Sequence, residues 1–244
     1  MNRLLPIAAL VLAAGGCNWS HADAETRDAG PAVDRNYQVG AFDRISVSGP
    51  YDVTVVTGRQ PGVAAHGGEA ILAETDISVK NGVLRIGPKE KSGRVRWSWG
   101  KDRDKVRVEV NAAALRGANI AGSGAIQIDR VADTAFEGEV AGSGNLKIAR
   151  VEGGSVDFSV AGSGDVVASG RAGKAEVSIA GSGDVDLSAL EVAQADVSIA
   201  GSGNVRARAT GTAQVSIMGS GDVAITGGAR CDVSKAGSGK VNCS

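Results

Sequence analysis

Residues 89–105 combine positive charge with aromatic rings, a composition suited to binding. The segment holds seven Lys and Arg side chains against three acids, and two of the three tryptophans in the chain. Trp97 and Trp99 stand two apart, so in a strand both rings point to the same side. Basic groups beside aromatic faces can bind a glycan, an anionic lipid headgroup or another polyanion. The candidate binding patch consists of Arg94, Arg96, Trp97, Trp99 and Lys101. We favour the interpretation that the tryptophans cover an open end of the core, since large apolar side chains usually pack, and keep the patch as the best candidate for binding.

A column of small polar residues recurs directly after each tripeptide Gly-Ser-Gly. Glycines next to aspartates also occur in calcium-binding β-roll repeats. Here the acid is not kept in every repeat, and a calcium ion needs several oxygen ligands. We therefore predict no metal and no cofactor, and expect turns in which Asn and Asp bond nearby backbone amides. The column is Ala125, Asn145, Asp165, Asp184, Asn204, Asp222 and Lys240.

The sequence shows no recognisable catalytic constellation. The two histidines are His21 and His66, the latter in an expected loop beside Gly67-Gly68, and no nucleophile signature surrounds a serine. Asp157, Glu176 and Asp196 recur once per repeat, as acids on a solvated face do. These observations predict a protein that is not an enzyme. The alternative is a carbohydrate-active enzyme, a polysaccharide lyase or hydrolase, which would need paired acids about 5–10 Å apart.

The elements that position these residues are set by a repeat. The tetrapeptide Ala-Gly-Ser-Gly, once Met-Gly-Ser-Gly, occurs seven times, with successive spacings of 20, 20, 19, 20, 18 and 18 residues. Apolar and polar residues alternate on both sides of it, which predicts strand, corner and strand. Such a period is typical of a solenoid with one coil per repeat. We predict an all-β parallel β-helix with about 18–20 residues per coil.

Residues 1–16 form a predicted signal peptide, because Arg3 precedes a short apolar run. Cys17 follows directly, and residues 14–17 resemble the lipobox of bacterial lipoproteins. Lipidation of Cys17 would make the chain an outer membrane lipoprotein that faces the cell surface or the periplasm, with the lipid as its only membrane contact. The alternative is ordinary cleavage after Ala22 or Ala24, which gives a soluble periplasmic or secreted protein.

The number and positions of the cysteines agree with export. Lipidation of Cys17 leaves Cys231 and Cys243, which stand six residues before and after the last corner glycine, Gly237. Both belong to columns that face inward in the earlier coils. In an oxidising compartment we predict a disulfide between them that closes the last coil. Lys235 interrupts a column of Ile and Val, which would block a further coil.

The remaining boundaries follow from composition. Residues 17–37 are predicted to be a disordered tether, and 38–244 a single β-helix domain. Within that domain, residues 38–110 give irregular coils and a cap, and 111–244 give the regular repeats. In the irregular part, Ser48-Gly49-Pro50 is a diverged first corner, and Asn81-Gly82 is a hairpin turn. A net charge of −1 gives no support for nucleic-acid binding.

The opening segment 42–53, the hairpin at 81–86 and the serial Gly-Ser-Gly corners together resemble the head GIN domain family, bacterial envelope proteins described as auto-transporter adhesin heads. The resemblance covers residues 38–244. It implies a right-handed β-helix, no enzyme activity and no known catalytic residues. The expected function is a surface or periplasmic module that binds a glycan or another envelope component, or acts as a spacer. The oligomeric state and the ligand are not predicted.

Overall fold

Stacked and mostly parallel strands build a β-solenoid of about six turns in a computed structural model, which describes residues 29–89 and 106–244. The N-terminal elements are β1 (Ala32–Tyr37), β2 (Arg44–Ser48), β3 (Asp52–Thr57), β4 (Gly62–Gly68), α1 (Glu69–Ala73), β5 (Thr75–Lys80), β6 (Val83–Pro88), β7 (Arg107–Ala112), β8 (Gly117–Gly122) and β9 (Ala125–Ile128). The remaining strands are β10 (Ala135–Gly142), β11 (Asn145–Gly162), β12 (Asp165–Gly181), β13 (Val185–Gly201), β14 (Val205–Gly219), β15 (Val223–Thr226), β16 (Arg230–Gly237) and β17 (Val241–Cys243).

The coils have two main sides that meet at the Gly-Ser-Gly corner. Side one holds the strand that enters the corner: β5, β6, β2, β8, β10, the later halves of β11 to β14, and β16. Side two holds the strand that leaves it: β1, β4, β7, β3, β9, the earlier halves of β11 to β14, then β15 and β17. A short third side, where β11 to β14 bend, leads back to side one. The predicted fold class is confirmed.

Equivalent corners lie directly on one another, as the repeat spacing predicts. Gly142 pairs with Gly162, Gly162 with Gly181, and Gly181 with Gly201. Gly181 has φ +140°, and a Cβ there would stand 2.2 Å from the carbonyl oxygen of Gly162. Only glycine therefore permits the coil spacing at this corner position.

Alternating apolar residues fill the interior between the two sides. Inward positions such as Ile120, Val140, Phe158 and Ile179 are at most 2% exposed. Because each inward residue stacks on its equivalent in the next coil, the core is one continuous column of apolar side chains.

The N-terminal region departs from the repeat. The predicted first corner is confirmed: Gly49 has φ +113°, and Ser48 pairs with Ala121 of the next corner. The predicted hairpin is also present, with positive φ at Asn81 and Gly82, as a type I′ turn requires. β1, β4 and β7 pair antiparallel and extend side two beyond the parallel coils.

Two assignments differ from the sequence analysis. Residues Ala32–Tyr37 form β1, where the composition predicts the end of the tether. Every residue of β1 pairs with β4, and Val33 and Tyr37 pack against the core, which explains why this polar stretch is ordered. His66 lies in β4 rather than in a loop.

The C-terminal end is closed by two features of the last coil. Cys231 and Cys243 form the predicted disulfide, with their Cα atoms 6.6 Å apart. Cys231 packs against the core, whereas Cys243 is exposed because no described coil covers it. Lys235 donates a hydrogen bond from Nζ to the carbonyl oxygen of Gly239, at 2.7 Å. Val233 beneath this cap remains 44% exposed.

Candidate functional site

The predicted binding residues Arg94, Arg96, Trp97, Trp99 and Lys101 lie outside the described residues, as does Cys17. The structure does fix where the segment 90–105 attaches. It leaves β6 on side one and returns to β7 on side two, which is the step that a Gly-Ser-Gly corner makes in the regular coils. The described strands on either side of the basic segment, β6 and β7, are therefore of the kind that a corner joins in the regular coils.

A hollow of about 420 Å³ lies on the outer surface of side one, next to the start of that segment. Its polar lining, which we call the basic hollow, is Ser46, Ser48, Asp76, Lys80, Arg85 and Lys89. Three cations therefore face a single acid.

Strand pairing explains the arrangement of the basic hollow. Arg85 on β6 lies between Ser46 on β2 and Ser78 on β5. Serines are short, so they leave the Arg85 guanidinium exposed between them. Asp76 is already engaged, because Ser78 Oγ donates a hydrogen bond to its Oδ2 at 2.9 Å.

The cations of the basic hollow differ in how firmly they are held. Lys89 Nζ donates to the carbonyl oxygen of Ala73 at 2.5 Å, and its backbone N–H donates to Glu74 at 2.9 Å. Lys80 and Arg85 make no side-chain hydrogen bond or ion pair within residues 29–89 and 106–244. Their charges are free to contact an anion in solution.

Sequence analysis found the basic segment but missed its neighbours Lys80 and Arg85. The signal was present, because the hairpin at 77–86 was recognised and its outward positions could have been assigned by alternation. What the sequence did not show is that β6 pairs with β2, which brings Ser46 and Ser48 to the same hollow.

The third side also carries arginines, but these are paired with acids. The register places Glu152, Arg171, Glu191 and Arg208 in one column on successive coils. Arg208 Nη2 lies 3.2 Å from Glu191 Oε2, and Arg171 Nε lies 3.8 Å from Glu191 Oε1. We call this column the charge ladder. Its alternating signs favour coil stacking rather than ligand capture.

The column after Gly-Ser-Gly has a structural role. Asp184 Oδ1 accepts a hydrogen bond from the backbone N–H of Asn204 at 3.0 Å, and Asp165 and Asp222 accept from the next coil in the same way. The predicted bonds to backbone amides are therefore present, but they join neighbouring coils. No group of three or more metal-ligating side chains occurs among the described residues.

Carboxylates stack on the outer surface of side one. Glu137, Asp157, Glu176 and Asp196 stand in register on four successive coils. Partial burial, reinforced by the charges of Glu176 and Glu137, raises the pKa of Asp157. Lys174 Nζ, 3.0 Å from Glu176 Oε2, opposes this shift.

Two further features bear on function. His66 Nδ1 lies 2.8 Å from Asp34 Oδ1 on the exposed surface of side two, and no serine or cysteine hydrogen-bonds to this pair in the described structure.

Among the described residues, no helix is long and apolar enough to cross a membrane.

Residues 41–229 match a family model described as "Putative auto-transporter adhesin, head GIN domain". No protein with a curated description matches the chain.

Several solved structures share the fold. A putative adhesin from Bacteroides fragilis is similar with a TM-score of 0.81 and 21% identity, over 88% of this chain and 97% of that one. A putative adhesin from Parabacteroides merdae has a TM-score of 0.72 and 19% identity, with the same coverage. A putative lipid binding protein from Parabacteroides distasonis has a TM-score of 0.69 and 23% identity, again over 88% and 97%.

Proposed function

The chain belongs to the auto-transporter adhesin head GIN domain family, and from this premise we propose that it is a non-enzymatic, adhesin-like module of the cell envelope that binds anionic glycans. The observation that carries the proposal is the basic hollow. Lys80 and Arg85 are exposed and unpaired within the described structure, and Lys89 is the first residue of the segment 89–105 that holds the predicted patch.

The chemistry of the basic hollow suits a carboxylated or sulfated sugar. Guanidinium groups bind such oxyanions through two parallel hydrogen bonds, while an ammonium group acts as a point charge. Ser46 and Ser48 add hydroxyl groups that can bond sugar hydroxyls. Trp97 and Trp99 would supply a flat apolar surface for a sugar ring.

We propose that Cys17 carries the lipid anchor and that the module lies at the outer membrane. A family of adhesin heads supports export and a place at the cell surface. The tether between Cys17 and β1 would set the distance from the membrane. Ordinary signal cleavage remains the alternative, with a soluble periplasmic or secreted product.

An enzyme on the same fold is less well supported. Family and structural relatives are described as adhesins. In the basic hollow, Asp76 is the one carboxylate of the described lining, whereas glycoside hydrolysis normally needs two.

Binding is tested by immobilising sulfated and uronate polysaccharides and measuring retention of the full exported chain. We expect the double variant Lys80→Ala/Arg85→Ala to lose at least tenfold in affinity, and retention to weaken as salt rises. Arg206→Ala, which removes an exposed arginine from side two, is the matched control.

Two outcomes would overturn this proposal. If the double variant binds like the native chain, the basic hollow is not the site. If the native chain binds anionic lipid vesicles but no anionic polysaccharide, the ligand class is wrong.

The double variant Trp97→Ala/Trp99→Ala separates a binding role of the tryptophans from a role in covering the core. Lost affinity with an unchanged melting temperature indicates a binding role.

The cellular location is tested by protease treatment of intact cells that express the native chain or Cys17→Ser. For a surface lipoprotein, the native domain is cleaved on whole cells and the variant is released. Protection until the outer membrane is broken would place the domain in the periplasm and exclude adhesion.

A further inference from the structure

A second hollow lies on the outer surface of side two, separate from the basic hollow, and has a volume of about 590 Å³. Its polar side chains, which define what we call the polar hollow, are Asn36, Gln38, Thr54, Arg59, Glu109 and Asn111. None of them was singled out by sequence reasoning.

The hollow arises from the way β4 is inserted. β4 pairs with β1 on one edge and with β7 on the other. Its outward residues Gly62 and Ala64 are small, so they form a low floor. Glu109, paired with Ala64, and Asn111, paired with Gly62, rise on the β7 side.

The opposite wall and the end complete the hollow. Asn36 on β1 pairs with Ala64, so an amide faces the Glu109 carboxylate across a single small residue. Arg59 closes one end, where its backbone N–H donates to the carbonyl oxygen of Ala112 at 3.0 Å and fixes the turn after β3. Tyr37, next to Asn36 on β1, points to the opposite face of the strand and packs against the core beneath the hollow.

The polar groups of this hollow are unused by the protein. Within residues 29–89 and 106–244, the side chains of Arg59, Glu109 and Asn111 make no hydrogen bond and no ion pair. Other surface charges are paired, for example Arg44 with Glu137 at 2.7 Å and Arg208 with Glu191 at 3.2 Å. Polar groups that converge on a concave surface without partners are available to a ligand.

We propose that the polar hollow binds a neutral saccharide. Arg59 and Glu109 cancel in net charge, so the hollow does not select an anion as the basic hollow does. Carboxylate, guanidinium and amide groups together offer both donors and acceptors, which is what sugar hydroxyls require because each donates and accepts.

The polar hollow binds the saccharide without cleaving it. Glu109 is the one carboxylate of its described lining, and glycosidic cleavage normally uses two. The chain thus has two recognition surfaces with different selectivity, one for anionic and one for neutral sugar units.

The test is an array of neutral hexose and N-acetylhexosamine oligosaccharides, with sulfated and uronate oligosaccharides on the same surface, probed with the full exported chain. We expect binding to neutral sugars that persists at high salt. Glu109→Gln and Asn111→Ala should each reduce it at least tenfold and leave the binding of anionic sugars unchanged.

The chain offers a closely matched control. Arg206 occupies the same outward column of side two as Glu109, several coils away, so Arg206→Ala perturbs an equivalent strand position outside the hollow. Lys80→Ala/Arg85→Ala should retain neutral binding. The absence of neutral sugar binding, or Glu109→Gln and Asn111→Ala variants that bind neutral sugars like the native chain, would overturn the inference whatever the result at the basic hollow.

Discussion

The corner glycines are the residues on which the coil spacing depends. At Gly181 a Cβ would collide with the backbone of the preceding coil, and φ is +140°. Gly228 also has positive φ, +78°, but a Cβ atom added there would meet no atom within 4 Å other than those of its chain neighbours. A side chain at Gly228 would meet only the conformational cost of positive φ, whereas a side chain at Gly181 would meet that cost and a steric clash as well.

We predict that Gly181→Ala destabilises the fold by about 3 kcal/mol or more, because strain at positive φ adds to overpacking against rigid backbone. Gly228→Ala should cost about 1 kcal/mol, from conformation alone. Chemical denaturation of both variants measures the difference. Equal effects would show that the close approach of coils at Gly181 is unimportant.

Stacked carboxylates on side one predict a pH effect at Asp157. Burial and the neighbouring acids raise its pKa, so the folded state binds this proton more tightly than the unfolded chain does. This group therefore stabilises the fold at a pH below the ordinary pKa of aspartate. That stabilisation is lost as the pH rises through the raised pKa of the folded state, and it is absent at neutral pH.

Asp157→Asn should accordingly stabilise the protein at pH 7, by about 0.2–1 kcal/mol for a largely exposed site. The gain should vanish near pH 3, where Asp157 is protonated in the native chain. Melting temperatures at the two pH values test this sign. A larger benefit at pH 3 than at pH 7 would contradict the electrostatic cause.

At the scale of elements, the last coil depends on its covalent link. β16 and β17 are the outermost described strands on their sides, and each pairs with a strand on one edge only. The disulfide joins these two strands across the end of the core.

Replacing Cys231 and Cys243 by serine should cost about 2–4 kcal/mol, since the link restricts the unfolded chain. Hydrogen exchange should show that the loss of protection is concentrated in β16 and β17. Thiol titration of the native chain provides the control, because it should detect no free thiol at these positions. A uniform loss of protection along the rod would contradict a local role in closing the end.

Prediction from sequence succeeded where the chain repeats itself. The alternation around Gly-Ser-Gly fixes strands, inward columns and corner stacking together, so the coils from β8 onward follow from one motif. The Asn81-Gly82 turn was equally clear, because positive φ at two successive residues demands those residue types.

Prediction failed where pairing is non-local. Nothing in Ala32–Tyr37 announces that β1 will pair antiparallel with β4, which lies about 30 residues further along. The polar hollow depends on that pairing, so its residues were missed. The charge ladder was missed for another reason: its members lie beyond a bulge where the repeat length varies between 18 and 20 residues.

For the whole molecule, coils that share one register should behave as interchangeable units. Deleting residues 182–201 removes one complete coil and joins Gly181 to Ser202, so corner and core columns remain aligned. We predict that the shortened chain folds with the same circular dichroism signature and a lower midpoint, because one coil interface is lost.

The charge ladder allows this deletion to be tested in detail. Removal of the coil that carries Glu191 brings Arg171 next to Arg208. Arg208→Glu should then stabilise the shortened chain by about 0.2–1 kcal/mol, yet destabilise the full chain, where it would face Glu191. The same sign in both backgrounds would show that the shortened chain does not restack in register.

One feature of the stack concerns how the molecule is made. β2 and β3 come early in the chain, but their partners on both edges, β6 with β8 and β7 with β9, are all later in sequence. The first coil therefore cannot be completed until the chain has emerged as far as about residue 128, the end of β9. Under the proposed export, this first half of the protein would cross the membrane as a loose chain, whereas every coil from β10 onward finds the preceding coil already folded. If the chain is exported as proposed, the late arrival of β6 to β9 would delay folding and keep the early chain unfolded for transport. The repeats that follow could then add to the stack at the rate at which they emerge.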